Sequence, residues 1–286
     1  MRRLFFLIAI AINISGFAQK VSNRLNFPKG QKLEMTTQVN SVITQEMMGQ
    51  PMEIKVNATI TRNFDIEDVN ANGATIEHKI KRIQFNFDGM GQSHSFDSEK
   101  ESDMKGEMGK EIEKNLKKKY TMTVDQIGKV TSVKLDDDNP NKSGEKDNAD
   151  MMDAMMSQFA AGLKPPSIGD VIDLKILPDR EVGKGDTWTD TANNGKKIFT
   201  VADITSTDVV LNFTEDIKVD RKQEAQGMEI TISSNDKSTG KVVLDRKTGL
   251  LKESTSTTAS EGTTSVMGQS MPLSTKLTKT VTVKGL

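Results

Sequence analysis

The most distinctive chemistry in the chain sits in one short run, where Met151, Met152, Met155 and Met156 are followed by Phe159. Met152, Met155, Met156, Phe159 and Leu163 recur at helical spacing, with Asp150, Asp153 and Ser157 on the opposite side, which predicts an amphipathic Met-rich helix near 148–161. A thioether face is unbranched and polarizable, so it suits either irregular packing on a sheet or contact with a hydrophobic small molecule such as a lipid. Thioethers also suit Cu(I), but no His or Cys joins the cluster, and no metal is expected there.

Other chemistry is sparse. His78 and His94 are the only imidazoles. His78 stands in strand alternation between Ile76 and Ile80, which predicts a satisfied or half-buried strand histidine, whereas His94 falls in a polar loop. The absence of cysteine removes thiolate catalysis, zinc–thiolate sites, disulfides and lipidation at an N-terminal Cys. Asp136, Asp137 and Asp138 do not continue into a calcium loop, because no choice of first ligand supplies the Gly and closing Glu at the required spacing. There is no Gly-x-Ser-x-Gly elbow, no His-Glu-x-x-His helix and no phosphate-binding glycine loop. A carboxylate pair assembled only in space would leave no trace of this kind. No catalytic residue, no enzyme activity and no cofactor is expected.

The elements around these residues are mostly strands. Leu33, Met35, Val39 and Ile43 share one parity, then Ile54, Val56, Ala58, Ile60, Phe64 and Ile66 share another, which predicts a long hairpin closing at Gly49 to Pro51. The next strand carries Ile76 and Ile80 on one parity but Ile83, Phe85 and Phe87 on the other. Such a switch requires a bulge near Lys81–Arg82. Ser98 and Glu101 resemble a capping box, opening a charged helix near 99–118 with a thin stripe of Met104, Met108, Ile112 and Leu116. Gly106 and Gly109, each about 1 kcal/mol worse than Ala in a helix, weaken its first half. A hairpin turn at Asp125–Gly128 precedes a polar stretch, Asp136–Asp147, which reads as a linker into the Met-rich helix.

The second β half repeats features of the first. Lys184-Gly-Asp-Thr-Trp188 parallels Lys29-Gly-Gln-Lys-Leu33, and Phe199-x-Val201-x-x-Ile204 has the spacing of Phe64-x-Ile66-x-x-Val69. Met267-Gly-Gln echoes Met48-Gly-Gln, and the turn Asp245-Arg-Lys-Thr-Gly249 is comparable to Asp125–Gly128. In the last strand Leu273, Leu277, Val281 and Val283 share one parity, and Lys276, Thr278, Thr280 and Thr282 the other. These echoes suggest duplication of a β module. The expected organisation is a cleaved signal peptide over 1–18, a first β half over 19–135, the linker and Met-rich helix over 136–169, and a second β half over 170–286.

The totals narrow the function. Of the 286 residues, 35% are hydrophobic and 28% charged, which fits a chain with a substantial core. The formal charge of -1 becomes -3 once Arg2 and Arg3 leave with the leader, so no field draws nucleic acid. Aromatics make up only 5%, too few for a base-stacking platform. Arg2 and Arg3, the apolar run from Leu4 to Phe17 and the small-x-small site at Gly16–Ala18 predict export. The expected location is the periplasm, with secretion or the cell surface as alternatives, and no membrane span is expected in the mature chain.

The Met-Gly-Gln hairpins, the Pro178–Trp188 stretch and the Asp245–Gly249 turn together resemble a family of exported bacterial proteins of unknown function. More loosely, the hairpins and amphipathic helix are similar to the half-barrels of periplasmic lipoprotein carriers. The resemblance implies a mainly β fold with two helices (α+β), built as curved antiparallel sheets from two related halves, and names no catalytic residue. The expected function is a non-catalytic exported protein binding a lipid or other hydrophobic ligand under the Met-rich helix. The alternative is a structural or protein-interaction protein of the envelope with a filled core, its partner unknown; a hydrolase with a spatially assembled carboxylate pair ranks third.

Overall fold

The computed structural model describes residues 20–47, 50–89, 91–135, 165–192, 194–225, 228–266 and 268–286. In chain order the elements are β1 (Lys32–Met47), β2 (Gln50–Asn70), β3 (Gly73–Gly89), β4 (Gln92–Asp97), α1 (Glu101–Met104), α2 (Glu107–Leu116), β5 (Lys119–Asp125) and β6 (Val130–Leu135). The second half supplies β7 (Thr187–Ala192), β8 (Gly195–Ile204), β9 (Asp208–Ala225), β10 (Met228–Asp245), β11 (Leu251–Val266) and β12 (Gln269–Gly285). The signal segment, the Asp136–Asp147 linker and the Met-rich stretch lie outside the described residues.

The strands join one large antiparallel sheet in the order β6-β5-β3-β2-β1-β12-β11-β10-β9-β8-β7, with β4 paired to β3. The sheet does not close into a barrel, and the fold is mainly β with two short helices among the described residues. Alternation explains the strands: Leu33, Met35 and Val39 oppose Phe64, Arg62 and Ala58, all turned to one face. The bulge expected near Lys81–Arg82 is present, since the register with β2 shifts between Thr61 and Arg62 and leaves Lys81 without a partner. That one extra residue keeps Ile80, His78 and Ile76 on the same face as Ile83, Phe85 and Phe87.

Three expectations need correction. The first hairpin pairs Glu46 with Pro51 and Met47 with Gln50, so the ladder runs further than a turn at Gly49–Pro51 allows. Pro51 lies beyond Lys55, the last β2 residue paired with β3, so on that side its missing N–H breaks no ladder bond. The capping box does not form: Lys100 is the N-cap of α1 without a side-chain cap, and the Ser98 hydroxyl instead accepts the Ile83 N–H at 3.0 Å. Bonding to the adjacent strand end satisfies a ladder donor that β4 no longer reaches.

The third correction concerns the helix near 99–118, which is interrupted at Lys105 and Gly106. Its predicted stripe does face inward, with Ile112 buried and Met104, Met108 and Leu116 packed beside it on Val56, Ile60, Ile83 and Phe85. Gly109 is needed where α2 crosses α1, because a Cβ there would overlap the Met104 backbone. We therefore expect Gly109→Ala to lower the melting temperature, the clash outweighing a gain of about 1 kcal/mol in helix propensity.

The echo between Lys29–Leu33 and Lys184–Trp188 has a structural counterpart. Gly30 and Gly185 both adopt positive φ, 77° and 88°. Gly30 donates to Ile66 O and Ile66 donates to Gln31 O; Gly185 donates to Val201 O and Val201 to Asp186 O, all at 2.9 Å. Leu33 pairs with Phe64 as Trp188 pairs with Phe199. Each ladder is irregular just afterwards, between Ile66 and Asp68 and between Val201 and Asp203. Lys29 and Asp68 close that corner at 2.7 Å, Lys184 and Asp203 at 2.8 Å. The Met-Gly-Gln echo is different in kind, because one copy joins β1 to β2 and the other β11 to β12, which become neighbours only through the β1–β12 ladder.

The sheet is strongly rolled. Leu25 donates to Gln126 O in the β5–β6 turn at 2.7 Å, and Asn26 donates to Thr248 O in the β10–β11 turn at 2.8 Å. Those turns are six strand spacings apart in the sheet order, about 29 Å if the sheet were flat. Adjacent residues bridge them, so the two wings must bend toward each other at this end. The same end is plugged by two segments: Val21, Leu25 and Phe27 from the start of the chain, and Ile172, Leu174 and Val182 from the 165–186 strap, all buried with both wings.

Candidate functional site

Beyond the plug, the inward face of the rolled sheet borders a cavity of about 740 Å³. Met35, Thr37 and Arg62 line it from β1 and β2, Leu277, Lys279 and Val281 from β12, and Phe213 and Glu215 from β9. Asp190 and Lys197 reach it from β7 and β8, while Ile172, Asp173, Lys175 and Leu177 of the strap form its roof. Strands as far apart as β2 and β7 meet one hollow only because the sheet rolls.

The floor changes character along the strands. Toward the plug it is hydrocarbon, with Leu211, Val242 and Leu244 buried. Next comes a belt of hydroxyls and charge, where Ser254 opposes Val242, Ser256 opposes Gly240 and Thr258 opposes Ser238 across β10 and β11. Ser238 and Thr258 hydrogen-bond to each other at 2.8 Å. On the far side of the belt the same face is mixed: Ile217, Val219, Ile230, Ile232 and Leu273 are half-buried there, with Asp236 opposite Ile217, Ser234 opposite Val219 and Arg221 opposite Ile232.

Most charges of the belt are matched. Arg62, itself buried, donates to Asp173 at 2.8 Å and to the Met35 sulfur at 2.9 Å. Lys197 stands 3.7 Å from Glu215 and 4.0 Å over the Phe213 ring centroid, a cation–π contact. Phe213 fits because its cross-strand partner is Gly240, where a Cβ would strike the ring. Lys175 donates to Leu177 O and lies 3.5 Å from Asp179; burial holds its ammonium below the usual lysine range. Burial likewise pushes the Asp190 carboxyl upward, against the pull of Lys197 and Lys175.

Lys279 is different. It projects from β12 between Val39 and Ser256, and makes no hydrogen bond or ion pair with any described residue. Much of its surface is accessible inside the hollow, yet the surrounding walls hinder its hydration and hold its ammonium below the ordinary range. Asp173 and Glu215 oppose that shift, while Lys197 and Arg62 reinforce it.

The candidate ligand residues Met151, Met152, Met155, Met156 and Phe159 lie outside the described residues. His78 is more buried than expected, 1% exposed, with neither ring nitrogen bonded to a described residue. It stacks on Tyr120 at 4.5 Å and meets Phe64 edge-on at 4.9 Å, so the rings of three adjacent strands make its environment. His94 is exposed as expected, 3.2 Å from Gln92, but it stands on β4 opposite Phe87 rather than in a loop, because the Gln92–Asp97 segment pairs with the end of β3. Trp188 is a core anchor, stacked on Phe199 at 5.0 Å.

Sequence reasoning did not single out the belt. Its signal is nevertheless present: Arg62 interrupts the apolar even parity between Ile60 and Phe64, and Lys279 the apolar odd parity between Leu277 and Val281. A charge on the inward parity marks a position that packing alone does not explain.

Among known proteins, no curated protein matches the chain. Solved structures do. Lipovitellin, in a structure describing its lipid–protein interactions, superposes with a TM-score of 0.51 at 9% identity over 91% of this chain. This chain spans 25% of the lipovitellin chain, so the likeness concerns the fold of that part. An outer membrane channel from Pseudomonas putida F1 matches 91% of this chain and 98% of its own at 8% identity, but its TM-score of 0.27 carries no argument. Residues 71–251, more than half of the chain and spanning β3 through the start of β11, match one family, and the protein belongs to it: DUF6263, a family of unknown function.

Proposed function

We propose that the protein is a non-catalytic exported carrier or binder, of the periplasm, that holds a lipid-like molecule inside its rolled sheet. The observation that carries this reading is the hollow of about 740 Å³ between sheet and strap, within the range of small-molecule sites and walled partly by hydrocarbon. The shared fold with a segment of lipovitellin supports it as an analogy of architecture. The carboxylates support binding over hydrolysis: Asp173, Asp179 and Glu215 sit against Arg62, Lys175 and Lys197, which leaves no second unpaired acid beside Asp190 among those lining the hollow. Export rests on the basic, apolar and small-residue pattern of residues 1–18.

The test is solvent extraction of the purified protein followed by mass spectrometry, beside Thr258→Phe, which puts a ring into the hollow from the belt. Native protein is expected to release bound amphiphile and the variant to release little, with both equally folded by circular dichroism. Equal lipid in both, or none in either together with no uptake of added fatty acid, overturns the reading. Localisation is checked by fractionation: release by osmotic shock is expected, and retention in the cytoplasm would refute export.

A further inference from the structure

We infer that the ligand is an amphiphile with one anionic head, held by the Lys279 ammonium and the Ser254 and Ser256 hydroxyls, with its tail running beyond Glu215 along the half-buried side chains of Ile217, Val219, Ile230 and Ile232. This deepens the lipid-binding reading and rests on it. Four cations line the hollow, and three of them already face a carboxylate: Arg62 with Asp173, Lys175 with Asp179, Lys197 with Glu215. Lys279 alone among the four makes no ion pair with a described residue, and Asp173 and Glu215, which act on its charge, are already engaged by Arg62 and Lys197.

The position argues against a chance surface lysine. Along β12 its inward neighbours are Leu277 and Val281, and across the ladder it faces Val39 on one side and Ser256 on the other. An ammonium brought out of bulk water into such walls costs free energy unless an anion joins it, and its lowered affinity for the proton reflects that cost. Ser254 and Ser256 make no side-chain hydrogen bond with described residues, in contrast to Ser238 and Thr258, which satisfy each other. Two free hydroxyls beside a free ammonium are donors for a carboxylate or a phosphate.

The direction of the tail follows from the floor. The plug side of the belt is filled by Leu211, Val242 and Leu244. The opposite side offers Ile217, Val219, Ile230, Ile232 and Leu273, on the same face as Lys279 by strand register and half-buried among the described residues, interspersed with Asp236, which the Ser234 and Ser260 hydroxyls hold, and with Arg221. A head at Lys279 therefore leaves room for a chain in one direction only, along a face where isoleucine, valine and leucine alternate with Asp236, Ser234 and Arg221. A cationic head is disfavoured by the same lysine.

Binding of palmitate, hexadecyl phosphate and hexadecanol, which share one chain and differ in the head, tests the assignment by displacement of a fluorescent fatty-acid probe. The full mature protein is expected to prefer both anions over the alcohol by roughly 10–100-fold, the range expected for a hydrogen bond to a charged group. Lys279→Met keeps the length and apolar stem; it is expected to bind the alcohol as the native protein does and to lose the preference for the anions. The comparison of palmitate with hexadecyl phosphate reports whether the head is a carboxylate or a phosphate. A native protein without preference, or a variant that retains it, overturns the headgroup assignment and leaves lipid binding standing. Failure to bind any of the three overturns both. A melting temperature of Lys279→Met at or above native shows that lost preference is not lost folding.

Discussion

His78→Phe is expected to flatten the acid side of the stability curve and to raise stability at neutral pH. Burial lowers the imidazole pKa from 6.5 to about 3, with Arg62 adding to the shift and Asp173 opposing it. The unfolded chain therefore binds a proton that the folded one refuses. The stability this neutral ring contributes is complete above pH 6.5 and is lost as the pH falls toward the folded value. From about pH 7.5 to about pH 4.5 this one group should cost roughly 2–3 kcal/mol. Carboxylates held low by a paired cation, such as the buried Asp97 beside Arg82, titrate below that window, from an ordinary 3.8 downward.

Phenylalanine keeps the ring between Phe64 and Tyr120 and removes two nitrogens that no described residue satisfies. The gain at neutral pH is expected on the order of 1 kcal/mol, after some crowding from the larger ring. Urea midpoints of native and variant across this range are the measurement. Parallel curves would show that His78 does not carry the acid sensitivity.

Leu174→Ala is expected to cost about 2–5 kcal/mol, the range for a buried leucine whose surroundings cannot collapse. Leu174 is 0% exposed and packs with residues of both wings, and its carbonyl accepts the Leu251 N–H at 3.0 Å. Its neighbours have no freedom to close the void, because Ile172 is tied to Gly128 and Val130 to Asp170 by backbone hydrogen bonds. The strap also roofs the hollow through Asp173, Lys175 and Leu177, so amphiphile affinity should fall together with stability. Chemical denaturation read beside probe binding checks both. Loss of binding with unchanged stability would mean that the strap serves the ligand rather than the fold.

Much of the fold was legible because it is written at period two. The bulge at Lys81 follows from a change of parity between Ile80 and Ile83, and the turns at Asp125 and Asp245 from local Asp and Gly chemistry. The paired corners at Lys29 and Lys184 could be read as an echo, and they are built with the same hydrogen bonds. The helix stripe was right in its face and wrong in its continuity. Side-chain period survives a break at Gly106, whereas the backbone ladder does not.

Taken alone, the sequence determined which residues turn inward and where the strands bend, since each follows from neighbours a few positions apart, and its composition removed cysteine chemistry. Tertiary structure decided everything that depends on distant partners. One sheet rather than two arises from the β1–β12 ladder, which joins the beginning of the chain to its end. The roll arises from Leu25 and Asn26 holding two remote turns together. Lys279 could be seen on the apolar parity, but whether a carboxylate would face it depended on which strands became its neighbours. Ion pairing inside a hollow is a property of the walls that meet there, and those walls come from eight strands and a strap spread over most of the chain.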